Sequence, residues 1–327
     1  MIVSRTPLRI SFAGGGTDLP SFYKKNLYGC VISSAINKYI YVSVKSHSQL
    51  YAEKIRLNYS ETEQVNNVSK IRNPIIKACL KYLNLDENIY ISTVADAPES
   101  TGLGSSSAFC VGLLNALYAF KGQKVNMNRL AMEAAKIEIE MLKRPIGKQD
   151  HYAAAFGGIN KFKFNSDESV NIKSINKEFS HMKLLFNPLL IFYTNQKRNA
   201  AKILSHQNKR ALANKSNLIL IRKQAENLFY RINKNQLTIK DFGELLDQGW
   251  NHKKSLSKKI SNKKIDEIYQ LIKNKGAYGG KLFGAGGGGF LSFVAKKSLH
   301  NNIINLLERK NMKYFPVKPD FTGSIIL

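Results

Sequence analysis

The run Pro98-Glu-Ser-Thr-Gly-Leu-Gly-Ser-Ser-Ser-Ala108 carries the clearest chemistry in this chain of 327 residues. The backbone N–H groups of a Gly/Ser loop and the positive end of a following helix dipole both favour an anion. Gly102 and Gly104, flanking Leu103, let the backbone come close to a ligand. Ser105, Ser106 and Ser107 add hydroxyls that suit phosphate oxygens or a hydrated metal ion. The other reading of the same residues is a serine cap after a flexible turn. Three further patterns fail their tests. Gly284, Gly286 and Gly289 have GxGxxG spacing, but Phe290–Ala295 after them reads as a strand where a dinucleotide fingerprint needs a helix. Asp241-Phe-Gly243 spells the metal-binding triplet of protein kinases, yet it lies in a helical stretch with no His-Arg-Asp loop upstream. No GxxxxGK[ST] loop is present, which excludes a P-loop.

The elements around the cradle follow from periodicity. Asn88–Ala95 alternates like a strand and Phe109–Phe120 is an apolar helix, so the loop joins a strand to a helix N-terminus. Strands are expected at Leu8–Ala13, Gly29–Ala35 and Lys38–Lys45. Residues 73–84 are expected to form a helix with Ile75, Ile76, Cys79, Leu80 and Leu83 on one face. Asn128 is expected to cap a helix running to Lys143, ended by Pro145 and Gly147. A short helix over Asp150–Phe156 closes at Gly157-Gly158. After a polar stretch over 165–182, a second unit begins with a buried strand, Leu184–Tyr193. Helices follow over 197–232, with a break near Ala213-Asn214, and over 238–249 and 264–275. A Gly-rich loop (279–289), the strand at 290–295, a helix over 298–310 and strands to the C-terminus complete it. This mixed order predicts an α+β architecture of two layered domains, residues 1–183 and 184–327.

Composition narrows the function class. An apolar content of 43% is ordinary for a globular protein. No segment reaches the ~18 apolar residues that span a bilayer, so no membrane partner is expected. Met1–Pro7 lacks the basic and apolar regions of a signal peptide. Cys30, Cys79 and Cys110 are odd in number and far apart, which fits a reducing cytoplasm better than a disulfide framework. The six histidines never take zinc-ligand spacing. The net charge of +27 is spread along the chain. No arm, finger or aromatic-basic repeat accompanies it, so no nucleic acid is expected as ligand; the field instead favours anionic small molecules.

Three glycine-rich segments stand at the start, middle and end: Arg5-Thr-Pro-Leu-Arg-Ile-Ser-Phe-Ala-Gly-Gly-Gly-Thr-Asp18, Pro98–Ala108, and Gly279-Gly-Lys-Leu-Phe-Gly-Ala-Gly-Gly-Gly-Gly-Phe290. Between the last two lies Arg144-Pro-Ile-Gly-Lys-Gln-Asp-His-Tyr-Ala-Ala-Ala155. In this order they resemble the GHMP superfamily of small-molecule kinases over nearly the whole chain. The narrower likeness is to its sugar-1-kinase branch, which includes the heptose 7-phosphate kinases. The resemblance implies an N-terminal domain with a mixed sheet and helices, and a C-terminal ferredoxin-like α/β sandwich. It implies ATP and Mg²⁺ as cofactors, and an anomeric C1 hydroxyl as acceptor. D-glycero-D-manno-heptose 7-phosphate is the favoured sugar and an L-fucose-type sugar the alternative. One departure is informative: galactokinases have Gly-Glu-His-Thr-Asp where this chain has Gly14-Gly15-Gly16-Thr17-Asp18, which disfavours galactose.

Roles follow by the same resemblance. Gly102–Ser107 would cradle the ATP phosphates, and Ser106 with Glu138 would hold the metal, Glu140 being the competing carboxylate. Asp150 aligns with the catalytic aspartate, a general base for the sugar hydroxyl, with a helix N-cap as its structural alternative. Arg9 would supply a fixed cation for the transferring charge. Gly15, Gly16, Thr17 and Asp18 would contact the sugar, with Gly284, Ala285, Gly286 and Gly287 packed nearby. Lys148, Arg198 and Lys202 are candidates for a sugar phosphate, Arg198 foremost. The sequence leaves the adenine contacts and the oligomeric state open.

Overall fold

The computed structural model describes residues 1–86, 88–175, 179–196, 200–210 and 213–327. Its first half is built on a long hairpin. β1 (Ile2–Ala13) leads through α1 (Pro20–Tyr23) into β2 (Tyr28–Ser46), and the two strands pair antiparallel. The two strands expected at 29–35 and 38–45 are therefore one. Asn37 and Lys38, at the boundary between them, are absorbed where the register shifts between Pro7 and Leu8. Pro7 has no N–H to offer the ladder, so an irregularity falls there at little cost. β3 (Ile55–Asn58) and β4 (Thr62–Val65) form a second hairpin.

α2 (Pro74–Tyr82) follows, with Asn73 accepting hydrogen bonds from the N–H groups of Ile75 and Ile76. Its expected face is buried. β5 (Ile89–Ala95) then enters the cradle loop, and α3 (Ser105–Phe120) leaves it to pack across β1 and β2. α4 (Met127–Ala135) is capped by Asn126, two residues before the expected Asn128. It does not continue as an α-helix to Lys143: over Lys136–Met141 it widens into a π-helix. Such insertions recur at functional sites, and here the segment buries Ile137 and Glu138 while Glu140 stays exposed. α5 (Gln149–Phe156), β6 (Ile159–Asn165) and β7 (Val170–Ser174) complete the unit.

The second unit begins with α6 (Phe179–Phe186) and β8 (Leu189–Tyr193). Leu184, expected in the strand, is in the last turn of that helix; Pro188 separates helix from strand, as a proline disfavours helix at the residue before it. Then come α7 (Ala200–Lys209), α8 (Lys215–Asn233), α9 (Ile239–Ser255) and α10 (Lys263–Asn274). β9 (Gly279–Leu282), β10 (Phe290–Val294), α11 (His300–Glu308), β11 (Lys313–Tyr314) and β12 (Ile325–Ile326) end the chain.

Two sheets result. The first runs β12-β1-β2-β5-β3-β4, with β6 and β7 continuing from β2; it is mixed because β3 and β5 are parallel. The length of β2 allows this branching: residues 28–34 pair with β6 and residues 40–46 with β5. The second sheet is antiparallel in the order β11-β8-β10-β9, the ferredoxin-like order, with α7 to α10 inserted between its first two strands. The molecule is α+β. A cut at 183/184 passes through α6, and β12 returns to pair with β1. The larger apolar core also includes Ala225, Leu228, Phe242 and Phe283 from the second half. The two units thus share one floor. Among the described residues, no helix is long and apolar enough to cross a membrane.

Candidate active site

The three glycine-rich segments meet at the junction of the two sheets, where they line one cleft of about 540 Å³. Gly104 is the residue before α3 and takes a left-handed backbone (φ +78), and a Cβ there would lie 3.2 Å from the Arg9 side chain. The cradle is thus wrapped around Arg9. The Arg9 N–H donates to Leu103 O at 2.9 Å and Nη1 donates to Gly102 O at 2.6 Å. The third glycine run packs against the cradle from the other side. Gly289 (φ +96) sits so close that a Cβ would fall 2.0 Å from Thr101 O. The need for glycine there is loop against loop, not a dinucleotide.

Arg9 spans the cleft to Asp150, in the first turn of α5. Nε donates to Oδ1 at 2.7 Å and Nη2 to Oδ2 at 2.6 Å, a two-point pairing of strand β1 with helix α5. The N-cap of α5 is Lys148, so Asp150 does not cap it. Both carboxylate oxygens face the guanidinium, which fixes the orientation of the carboxylate.

Glu138 lies beneath the serines, fully buried. Ser106 Oγ donates to Oε1 (2.6 Å), Ser107 Oγ to Oε2 (2.7 Å) and His151 Nε2 to Oε2 (2.8 Å), and Arg144 Nη1 donates to Oε1 (2.5 Å). Burial pushes its pKa up, but His151, the Ser106 hydroxyl and the Arg144 charge outweigh burial and bring it down to about 2. Ser106 Oγ and Glu138 Oε1 form a pair of hard oxygens at the cleft, and Arg144 Nη1 already bridges them, 2.5 Å from each. Both are donors of the kind that magnesium would take, with its remaining ligands from phosphates and water. Arg144 is partly exposed and reaches in from a loop, so the residues present fit the ion. Among the described residues, no three His, Cys, Asp or Glu cluster for a metal.

Asp18 also lines the cleft. Burial raises its pKa, as does the charge of nearby Asp150, against the hydrogen bonds from Gly16 and Gln149. Gly16 N–H donates to Oδ1 (3.0 Å), as does Gln149 Nε2 (3.1 Å). Gly15 and Gly16 line the cleft with it, but Thr17 does not. Thr17 is buried and spends its hydroxyl on Gly14 O and Cys30 O, which folds the loop back onto β2. Gly284 and Ala285 line the cleft. Gly287 N–H donates to Ile260 O and Gly286 packs against Ile260, so these two brace the loop. Leu103 is buried in the core. Lys148 pairs with Glu168 on the surface. Arg198 lies outside the described residues, as does the side chain of Lys202.

Several cleft residues carry no expectation from the sequence: Arg144, Gln149, Gln207, Lys253 and Lys281. Lys281 is buried on β9, its Nζ donating to Ser11 O (2.7 Å) and Phe12 O (3.1 Å). Burial, then the charges of Lys253 and Arg9, push its pKa well down. Ile40, Ile75, Ala97 and Phe109 add apolar side chains to the cleft lining.

An anion cradle beside a clamped carboxylate is the equipment of phosphoryl transfer to a small molecule, and comparison with known proteins agrees. The family model described as GHMP kinases N terminal domain matches residues 69–158, and GHMP kinases C terminal matches residues 233–313. Together they span just over half of the sequence, and the chain belongs to the GHMP kinases, which use ATP as phosphoryl donor. A D-glycero-alpha-D-manno-heptose 7-phosphate kinase of Campylobacter jejuni is 29% identical over 324 residues, covering 94% of each chain. A galactokinase of Pyrococcus furiosus is 26% identical, covering 97% of each. The crystal structure of a D-glycero-D-manno-heptose 1-phosphate kinase from Bacteroides thetaiotaomicron superposes with a TM-score of 0.81 at 23% identity, over 100% of this chain and 99% of that one.

Proposed function

We propose that this kinase acts on a sugar, transferring the γ-phosphoryl group of ATP to the anomeric C1 hydroxyl of D-glycero-D-manno-heptose 7-phosphate. The product would feed nucleotide-activated heptose for surface polysaccharide, in the cytoplasm where ATP is made. The observation that carries the reading is the Arg9 bridge: one guanidinium binds both the cradle, at Gly102 O, and the Asp150 carboxylate. The donor site and the acceptor's base are thereby held in one rigid unit. The relative named for heptose 7-phosphate, matched along 94% of both chains, supports the choice of sugar.

In this mechanism the C1 hydroxyl lies against Asp150. The carboxylate takes the hydroxyl proton as the oxygen attacks the γ-phosphorus, the bond to the β,γ-bridging oxygen breaks, and ADP leaves with that electron pair. Arg9 orients the base and faces the charge that develops on the equatorial oxygens. The backbone N–H groups at the start of α3 hold the phosphates. Ser106 and Glu138 would hold Mg²⁺, which neutralises phosphate charge when bound. Asp18 and the Gly15-Gly16 turn orient the sugar.

The test is ADP release by the purified protein with a panel of sugars and sugar phosphates. Heptose 7-phosphate is expected to give the highest kcat/KM, with ³¹P NMR placing the new ester on C1. Higher turnover of L-fucose would favour the L-fucose-type alternative. No ADP above background with any acceptor would sink both.

A further inference from the structure

We infer that the hollow over Gly15 is a second anion subsite, built by Ser11, Lys253 and Lys281 to hold the phosphate that the acceptor already carries. This rests on reading the site as that of a sugar-phosphate kinase. A methyl group placed on Gly15 would lie 3.7 Å from Ser11 Oγ, 3.9 Å from Gln149 Nε2 and 3.9 Å from Lys253 Nζ. Donors on three separate elements therefore converge on one small space that opens into the cleft. Ser11 Oγ points there, 5% exposed and with no hydrogen-bond partner. An orphaned buried hydroxyl is costly unless something arrives to satisfy it.

The charges agree with the geometry. Lys281 is fastened to the carbonyl of that same Ser11. Lys253 is held at the rim by Gly284 O, within electrostatic reach of Lys281. Two amines brought this close hold their charge more readily with a phosphate between them. Asp18, on the far side of Gln149, remains for the ring hydroxyls. Ser11, Lys253 and Lys281 come from β1, α9 and β9 and none belongs to the Gly102–Ser107 cradle, so the acceptor's phosphate has donors separate from those offered to ATP.

The test measures discrimination. Wild type is expected to prefer heptose 7-phosphate over unphosphorylated heptose, and Lys253→Met to lower that kcat/KM ratio by about 10- to 100-fold. The loss should appear in KM for the phosphosugar, with KM for ATP unchanged. Ser11→Ala, a smaller change that keeps the charges, should lower the ratio by about 3- to 10-fold and stands in if Lys253→Met fails to fold. Inorganic phosphate should compete with the phosphosugar in wild type and lose potency in parallel in the variants. A ratio unchanged in both variants, or a loss falling equally on both sugars, overturns the subsite. If wild type shows no preference for the phosphosugar, the choice of substrate fails. Calorimetric binding of inorganic phosphate then decides the subsite alone: affinity that both variants weaken supports it, and equal or absent affinity overturns it.

Discussion

Asp150 gives both of its carboxylate oxygens to Arg9, and that pairing sets what each residue can do. The guanidinium aims the carboxylate, while the outer lone pairs remain for a hydroxyl. Asp150→Asn removes the proton acceptor but preserves the shape. We expect kcat to fall by about 10²- to 10⁴-fold, with KM for ATP within about twofold. Arg9, only 4% exposed, would lose its counter-charge, so a lower melting temperature is expected too. The kinetics therefore belong at a temperature where both proteins are folded by circular dichroism. Near-wild-type kcat would remove Asp150 from the chemistry. The pair is legible in the sequence because each member sits in a motif of its own. The lysines are not. Lys253 and Lys254 are adjacent in the sequence, and successive helix residues point about 100° apart. Lys254 therefore reaches Asp266 on the surface while Lys253 turns to Gly284. Nothing in the spacing says which of the two goes inward. Lys281 is hidden for a related reason: strand alternation leaves its face to be chosen by tertiary packing.

At the scale of elements, the hinge between β4 and α2 is tied by one carboxylate. Glu63 accepts hydrogen bonds from Arg72 N–H (2.6 Å), Asn73 N–H (3.0 Å) and the Tyr59 hydroxyl (2.8 Å), and so places the Asn73 cap and Ile75 in the wall of the cleft. Burial pushes its pKa up, but these donors and the Arg72 charge outweigh burial and hold it below its ordinary 4.5. A carboxylate with a lowered folded pKa contributes stability that is complete above its unfolded pKa and is lost as pH falls through the folded value. Thermal melts should therefore show wild type losing stability below about pH 4.5, and Glu63→Gln losing less over the same range. At neutral pH the variant should be less stable by about 1–3 kcal/mol. Parallel pH curves for the two proteins would contradict this. Gly289→Ala tests the docking of the third glycine run on the cradle. With φ at +96 and Thr101 O in the way, we expect a loss of about 2–4 kcal/mol in denaturant titration and a raised KM for ATP. An unchanged midpoint would mean that the two loops are not pressed together. The elements were largely legible, since periodicity marks α2, α9 and α10 and an unbroken apolar run marks α3. The failures are physical. The joining of β2 across Asn37-Lys38 depends on a partner strand with a proline, and the widening at Lys136–Met141 follows from no local propensity.

At the scale of the whole molecule, 50 basic against 23 acidic residues bear on the approach of a nucleotide and of the phosphosugar proposed as acceptor. Few of the cations are spent inside the cleft. Arg9 and Arg144 are paired with carboxylates, Lys281 with carbonyls, and others such as Lys240 and Lys263 form exposed helix pairs worth little to stability. The excess acts as a field over the surface, and a field of this kind accelerates encounter without adding a contact. It is also screened by salt, because the Debye length shrinks from about 14 Å at 50 mM to about 4 Å at 500 mM. We therefore expect kcat/KM for the phosphosugar to fall about 3- to 10-fold across that range, with kcat nearly constant. The field and the Gly15 subsite separate cleanly in this experiment. Lys253→Met removes one contact from a surface that keeps nearly all its charge, so its salt slope should parallel wild type while the whole line is displaced downward. If the slope flattens in the variant, the salt effect belongs to the subsite. If wild type shows no slope, the charge has no part in recruiting substrate and reflects the lysine-rich composition alone.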